Sequence, residues 1–297
     1  MTPGAGELEV VILGCGSSGG VPRGDGDWGL CDPAEPKNRR LRCSLLVQRH
    51  GPDGVTSVLV DTSPDLRQQM LAAQVRHVDA VLYTHDHADQ THGLDDLRVF
   101  AMHARRRIPA FMDGATRAAL TGRFGYIFES VNGYPAILEA HRLPPHGEPW
   151  SVEGPGGPVP VVTFDQGHGP IRSVGYRFGP VAYSPDVSDL DETALAALRG
   201  CQLWIVDALR WTPHPTHAHL DRTLDWIARA GVERAVLTNL HLDMDYRAIS
   251  AILPPNVEAA WDGWTARLRP AGGAARQSRP APRRPRPALC AGRAAAH

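Results

Sequence analysis

Four apolar runs, far apart along the chain, each lead directly into a histidine or an aspartate. His85 follows AVLYT, His168 follows VVTFDQG, Asp186 follows VAYSP and His241 follows AVLTNL. Short runs of Val, Leu and Ile bounded by Gly, Pro, Asn or Asp read as strands. Each of these polar residues therefore sits just past the carboxyl end of a predicted strand, where a rigid scaffold presents its chemistry. This is the strongest organisational signal in the chain.

The rest of the pattern agrees with it. EVVILG, CSLLVQ, TSVLVD and DAVLYT form a first set of strands, and VPVVTF, SVGYRF, VAYS, LWIVDA and RAVLTN a second. Helical spacing marks PDLRQQMLAA, LDDLRVFAMHAR, DETALAALRG and LDRTLDWIARAG, the last two with a polar start and a Gly end. Strands with interleaved helices, followed by a similar order again, predict an α/β fold: two mixed sheets face to face with helices on the outer faces, an αββα sandwich. There is no short-period repeat.

Hydrophobic content of 42% and charged content of 21% over 297 residues exclude general disorder. No apolar run reaches the roughly 20 residues of a membrane helix. The N-terminus lacks a basic region followed by an apolar core, so no secretory signal is expected. Five scattered cysteines, Cys15, Cys31, Cys43, Cys201 and Cys290, with no CxxC pair, argue against a disulfide framework. A cytoplasmic location is the expectation. Beyond Pro270 the chain carries six of its 31 basic residues and no acid, leaving 25 basic against 32 acidic residues before it. That Pro/Ala/Arg-rich stretch, 271–297, reads as a disordered tail on a domain spanning 1–270. The acidic body argues against a broad nucleic-acid-binding face.

The segment His85-Asp86-His87-Ala88-Asp89 has the composition of a metal site. His85 and His87, two apart, can turn toward one ion, and Asp89 offers a hard oxygen to a second. Imidazole with carboxylate suits Zn, and also Mn or Fe. Two ions about 3.5–4 Å apart can lower the pKa of a shared water from ~16 to about 7. The structural alternative is a helix start with Asp caps and solvated histidines.

The HxHxD segment and its distant His, Asp and His partners resemble the metallo-β-lactamase superfamily. LGCGSSGGVPR, VDTSPDLR and THGLDDLR further resemble its phosphoribosyl cyclic phosphodiesterase branch, known from phosphonate degradation. The resemblance covers about residues 8–265. It implies two divalent ions, Zn or Mn: His85, His87 and His168 around one, Asp89 and His241 around the other, and Asp186 between them. The sixth ligand position, normally His, is Gln90 here. Gln90 ligates through its oxygen, or His92 substitutes, or the second site is weak. The resemblance also implies that a histidine in the HPxH stretch protonates the leaving oxygen. His217 is the candidate, and with Asp89 it makes up the expected catalytic pair, whereas His214 and His219 read as loop residues.

Other residues carry weaker signals. Asp61 either holds a ligating imidazole or caps the following helix. The Ser17-Ser18-Gly19-Gly20 loop can approach an anion, or is simply a tight turn. Arg40 and Arg42 share one face and can reach a substrate phosphate, or line a solvated edge. Cys31 has no close cysteine partner, so the structural zinc site of the resembled enzymes is not expected.

The chain is thus expected to be a metal-dependent hydrolase, a phosphodiesterase acting on a small-molecule cyclic or diester phosphate, without membrane or nucleic-acid partners and with a homodimer left open. A lactonase or thioesterase on the same fold, and a non-catalytic metal-binding protein, are the competing readings.

Overall fold

The computed structural model of the protein describes residues 6–269. The expected tail, 271–297, and the domain limit at 270 lie outside the described residues.

The predicted strands all form, and five more join them. In chain order they are β1 (Leu8–Gly14), β2 (Ser44–Gly51), β3 (Gly54–Val60), β4 (Ala80–Leu82), β5 (Ile108–Met112), β6 (Leu138–Arg142), β7 (Trp150–Val152), β8 (Val159–His168), β9 (Ile171–Phe178), β10 (Val181–Ser184), β11 (Leu203–Asp207), β12 (Arg234–Thr238), β13 (Val257–Ala259) and β14 (Thr265–Leu268). They make two seven-stranded sheets, ordered β14-β1-β2-β3-β4-β5-β6 and β13-β12-β11-β10-β9-β8-β7. Each sheet is antiparallel on one side and parallel on the other. The change falls at β3 in the first sheet and at β10 in the second.

Both faces of most strands are buried. In the β2–β3 pair, Leu45 opposes Val60 and Val47 opposes Val58, and these four pack against the other sheet with Val161, Val174, Tyr176 and Ile205. The intervening pair, Leu46 and Leu59, packs against the helices Leu66–Ala72 and Arg98–Ala104. The second sheet repeats this: Trp204 and Val206 lie under the helices Glu192–Leu198 and Leu220–Ala230. Burying each such Leu, Ile or Val contributes roughly 1.5–3 kcal/mol. Two apolar faces explain why these strands read as continuous apolar runs rather than alternating ones. The result is the expected αββα sandwich.

Helix ends follow the sequence signals. Asp191 Oδ1 accepts from the Ala194 N–H at 2.7 Å, and Gly231 ends its helix at φ 63°. One boundary differs. His168 is the last residue of β8 rather than a residue beyond it, because β8 and β9 pair up to a tight turn, His168 opposite Ile171. Among the described residues no helix is long and apolar enough to cross a membrane.

Candidate metal centre

The histidine-rich loop leaves β4 and forms one helical turn, Ala88–Thr91, with His87 at its N-cap. Its path is fixed by the loop after β3. Thr62 N–H donates to Gln90 O at 2.8 Å, and Thr91 Oγ donates to His87 O at 2.7 Å. Gly93 is required where these loops touch, since a Cβ there would lie 2.0 Å from Ser63 O. Arg123, on the helix Gly114–Arg123, grips Asp86 through its carbonyl and its carboxylate, both at 2.7 Å.

Three imidazoles converge at this point. The ring centroids of His85, His87 and His168 are 4.5, 4.8 and 5.0 Å apart, although His85 and His87 come from the first sheet and His168 from the second. Hydrogen bonds set the tautomers. Thr84 Oγ1 donates its proton to Asp61 Oδ2 at 2.8 Å, so at 3.0 Å it accepts from His85 Nδ1–H. His85 Nε2 is then an unprotonated nitrogen, buried and without a partner. His168 Nδ1–H donates to Thr216 O at 2.7 Å, which leaves its Nε2 unprotonated, 3.2 Å from His87 Nδ1. Ligands of a tetrahedral ion with bonds of ~2.0–2.1 Å stand about 3.3 Å apart. Burial pushes His85 well down and His168 down to about 4, so both are neutral, the state a metal needs. The donor set therefore fits one divalent ion.

Asp61 has a different task from both expected ones. It makes no contact with an imidazole and caps no helix; its carboxylate takes the Thr84 N–H and Oγ1–H, each at 2.8 Å. It steadies His85 through Thr84. Burial pushes its carboxyl up to about 8, against the pull of the two Thr84 donors.

Next to the imidazoles, His217 Nδ1 is 2.9 Å from Asp207 Oδ2 and 3.8 Å from Asp186 Oδ1. Asp207 ends β11 and is fully buried. It also accepts from Val187 N–H at 3.1 Å and Asn239 Nδ2 at 3.2 Å. Burial pushes His217 down, but Asp207, Asp186 and Asp89 outweigh it and raise the imidazole to about 9. Burial pushes Asp207 up while His217 pulls it down; with every contact of Asp207 a donor, we read the pair as carboxylate and imidazolium. Asp207 was not singled out from the sequence, although it obeys the same strand-end rule as the other four.

The remaining positions separate. Gln90 is buried, and its Nε2 donates to Asp186 Oδ2 at 2.9 Å, leaving Oε1 without a partner. His92 is exposed, with its ring edge-on to Phe124. Among the described residues, two trios of His, Cys, Asp or Glu side chains place their ligand atoms within 4.8 Å of one another: His85, His87, His168 and His168, Asp186, His217. Neither includes Asp89 or His241. Asp89 stands close enough for its charge to act on both Asp186 and His217. His241 Nε2 lies 2.9 Å from Arg23 Nη2, and its Nδ1 3.0 Å from Asp243 Oδ1.

Beside the cluster is a cleft of about 400 Å³ lined by Ser17, Ser18, Gly19, Arg23, Arg210, His214, His217 and His241. The serine-glycine loop thus faces the site. Arg40 and Arg42 do not: Arg40 is buried, donating to Met244 O at 2.7 Å, and Arg42 pairs with Asp65. The nearby Cys31 packs with Val21 and Leu242. A larger cleft, of about 750 Å³, is lined by Arg98, Met102, Arg106 and Tyr134 and has no His, Cys, Asp or Glu in its wall.

Comparison with known proteins identifies the fold and the family. A crystal structure of a diphosphatase from the PhnP family is 32% identical, covers 88% of this chain and 97% of that one, and superposes with a TM-score of 0.79. Zinc-bound PqqB from Methylobacterium extorquens shares the fold, at 19% identity over 87% of this chain and 99% of that one, with a TM-score of 0.68. An octanoyltransferase from Porphyromonas gingivalis is 31% identical over 261 residues, 86% of this chain. The chain spans about half the length of that protein, 51%. The family described as "Beta-lactamase superfamily domain" matches residues 56–239, which carry His85, His87, His168, Asp186 and His217. The chain belongs to the beta-lactamase superfamily, with the metallo-β-lactamase fold.

Proposed function

We propose that the protein is a metal-dependent hydrolase of small cyclic or diester phosphates. The observation that carries this reading is His217, a proton-bearing imidazole wedged between three metal-ready imidazoles and a cleft containing Arg23 and Arg210. The 32% identity to a PhnP-family diphosphatase, over nearly all of that chain, supports it.

His85, His87 and His168 would hold the ion, Zn or Mn, with Asp186 at its edge. When bound, the ion supplies a nucleophile from water at neutral pH and stabilises charge on the phosphoryl oxygens. The protein's own groups do the rest. Thr84 and Thr216 fix which imidazole nitrogens face the ion. Water adds to phosphorus, and its proton passes to Asp89. The P–O ester bond breaks, and the departing oxygen takes the proton from His217 Nε2. Asp207 holds the opposite nitrogen, so that this proton points into the cleft and the imidazole is charged at neutral pH. The buried free thiols of Cys15, Cys31, Cys43 and Cys201 suit a reducing, cytoplasmic setting.

The test is a panel of zinc- or manganese-loaded protein against bis(p-nitrophenyl) phosphate, cyclic nucleotides, lactones and thioesters, with Asp89→Ala as control. Diester cleavage lost in a folded Asp89→Ala protein is the expected result. Turnover of only lactones or thioesters, or of nothing despite bound metal, would sink the proposal.

A further inference from the structure

Of the side chains that would complete a second ion site, His241 is engaged elsewhere and Gln90 offers only a neutral amide oxygen. At the position of the missing imidazole, Gln90 Nε2 donates to Asp186 at 2.9 Å, and what remains there is a carbonyl oxygen, a weaker donor to a transition metal than an imidazole nitrogen. His241 has both ring nitrogens committed. Arg23 is a permanent cation and can only donate, so at 2.9 Å the lone pair of His241 Nε2 accepts from it. His241 Nδ1–H then donates to Asp243 Oδ1, at 3.0 Å. The nitrogen lone pair a metal would need already holds a guanidinium, and a dication bound there would sit against that positive charge.

Arg23 is also placed to act. Its side chain lies along the serine-glycine loop: a Cβ on Gly19 would meet Arg23 Cγ at 3.4 Å. The N–H groups of Ser18 and Gly19 have no protein partner among the described residues. Across the cleft, Arg210 spends Nε and Nη2 on Thr212 O and Pro213 O and keeps Nη1 uncommitted. Two guanidinium groups and two free backbone N–H groups around one cleft match a phosphate, which offers several acceptor oxygens and takes arginine readily.

We propose that this chain uses a single ion, at His85, His87 and His168, and that Arg23, seated on His241, takes the place of the second, binding an additional phosphoryl group of the substrate. The proposal rests on the hydrolase reading above. It narrows the substrate class to small diesters or diphosphates that carry a further anionic phosphate next to the bond being cut.

The test counts metal and measures anion binding separately. Full-length protein saturated with zinc and desalted should hold one equivalent by mass spectrometry of the metal, and a Gln90→His/Arg23→Ala variant should hold two. Titration of the zinc-loaded protein with inorganic pyrophosphate should show at least a 10-fold weaker Kd for Arg23→Ala and most of the affinity restored in Arg23→Lys. In turnover, Arg23→Ala should lose at least 10-fold more kcat/KM on a diphosphate ester than on bis(p-nitrophenyl) phosphate, chiefly through KM. Two equivalents of zinc in the parent protein, or pyrophosphate binding indifferent to Arg23, overturns this inference and leaves the hydrolase reading intact. No bound zinc at all overturns both.

Discussion

Replacing Asp207 with asparagine removes one charge from the site and little else. Val187 N–H and His217 Nδ1 share Oδ2, so an amide oxygen in that position keeps both hydrogen bonds. The new NH₂ then faces Asn239, whose own amide can turn to present its oxygen. What changes is the proton on His217. With its carboxylates it titrates near 9; returned to an ordinary imidazole value of about 6.5, it falls from about 90% to about 3% charged at pH 8. Protonation alone therefore predicts a loss of roughly 30-fold in kcat/KM at pH 8 and much less at pH 6. The assay is the pH profile of kcat/KM on bis(p-nitrophenyl) phosphate with zinc-loaded protein. The alkaline limb should move to lower pH in the variant, by an amount reduced by the Asp186 and Asp89 charges that remain. Stability carries the same sign. The folded pKa is raised, so the pairing stabilises fully below about pH 6.5 and is lost as pH rises through 9. Titration near 9 rather than about 6.5 sets a ceiling of about 3 kcal/mol on this contribution. An Asp207→Asn protein whose limb stays where the parent's lies and whose rate at pH 8 is unchanged would refute the assignment of Asp207 as the group that holds this proton in place.

Other outcomes follow from the same geometry. His85→Ala removes the buried imidazole nitrogen, and zinc retention after desalting should fall below one-tenth of an equivalent per chain. Zinc at about 100 times its Kd should raise the unfolding free energy of the parent protein by ~2.7 kcal/mol, with no such gain for His85→Ala, read from denaturant curves. Asp61→Ala releases Thr84, and through it His85, so metal affinity should drop 10–100-fold by competition with a fluorescent chelator. Arg40→Met strands Met244 O and should cost about 2–3 kcal/mol in urea unfolding while leaving zinc stoichiometry unchanged.

The strand-end rule carried much of what could be read from the sequence. It found His85, His168, Asp186 and His241, and the structure sets all four at the same end of the sandwich. It also covered Asp207, the last residue of LWIVD, but a strand-end aspartate with no histidine or glycine beside it carries no visible signal. β5 and β6 were missed because Pro109 and the polar residues Glu139, His141 and Arg142 break up their apolar runs at an edge of the sheet. Arg40 and Arg42 lie outside any strand, and Arg40 is buried against Met244 while Arg42 pairs with Asp65. The bridges from Arg40 to Val21 and from Arg42 to Gly16 fold that segment under the serine-glycine loop, and no periodicity reports which side of an isolated bridge meets water. Arg23 was hidden for a related reason. Its partner, His241, is 218 residues away, and only the folded chain brings the two together.

His85 and His87 hang from one sheet and His168 from the other, so the three nitrogens straddle the seam of the sandwich. The trio is a gauge of alignment: if the sheets slid by even an ångström, the spacing would no longer suit one cation. A ribosome-bound chain cannot assemble it until residue 168 has emerged and both layers have docked. Occupancy would thus report completed assembly, and a captured cation would rivet the two layers against shear.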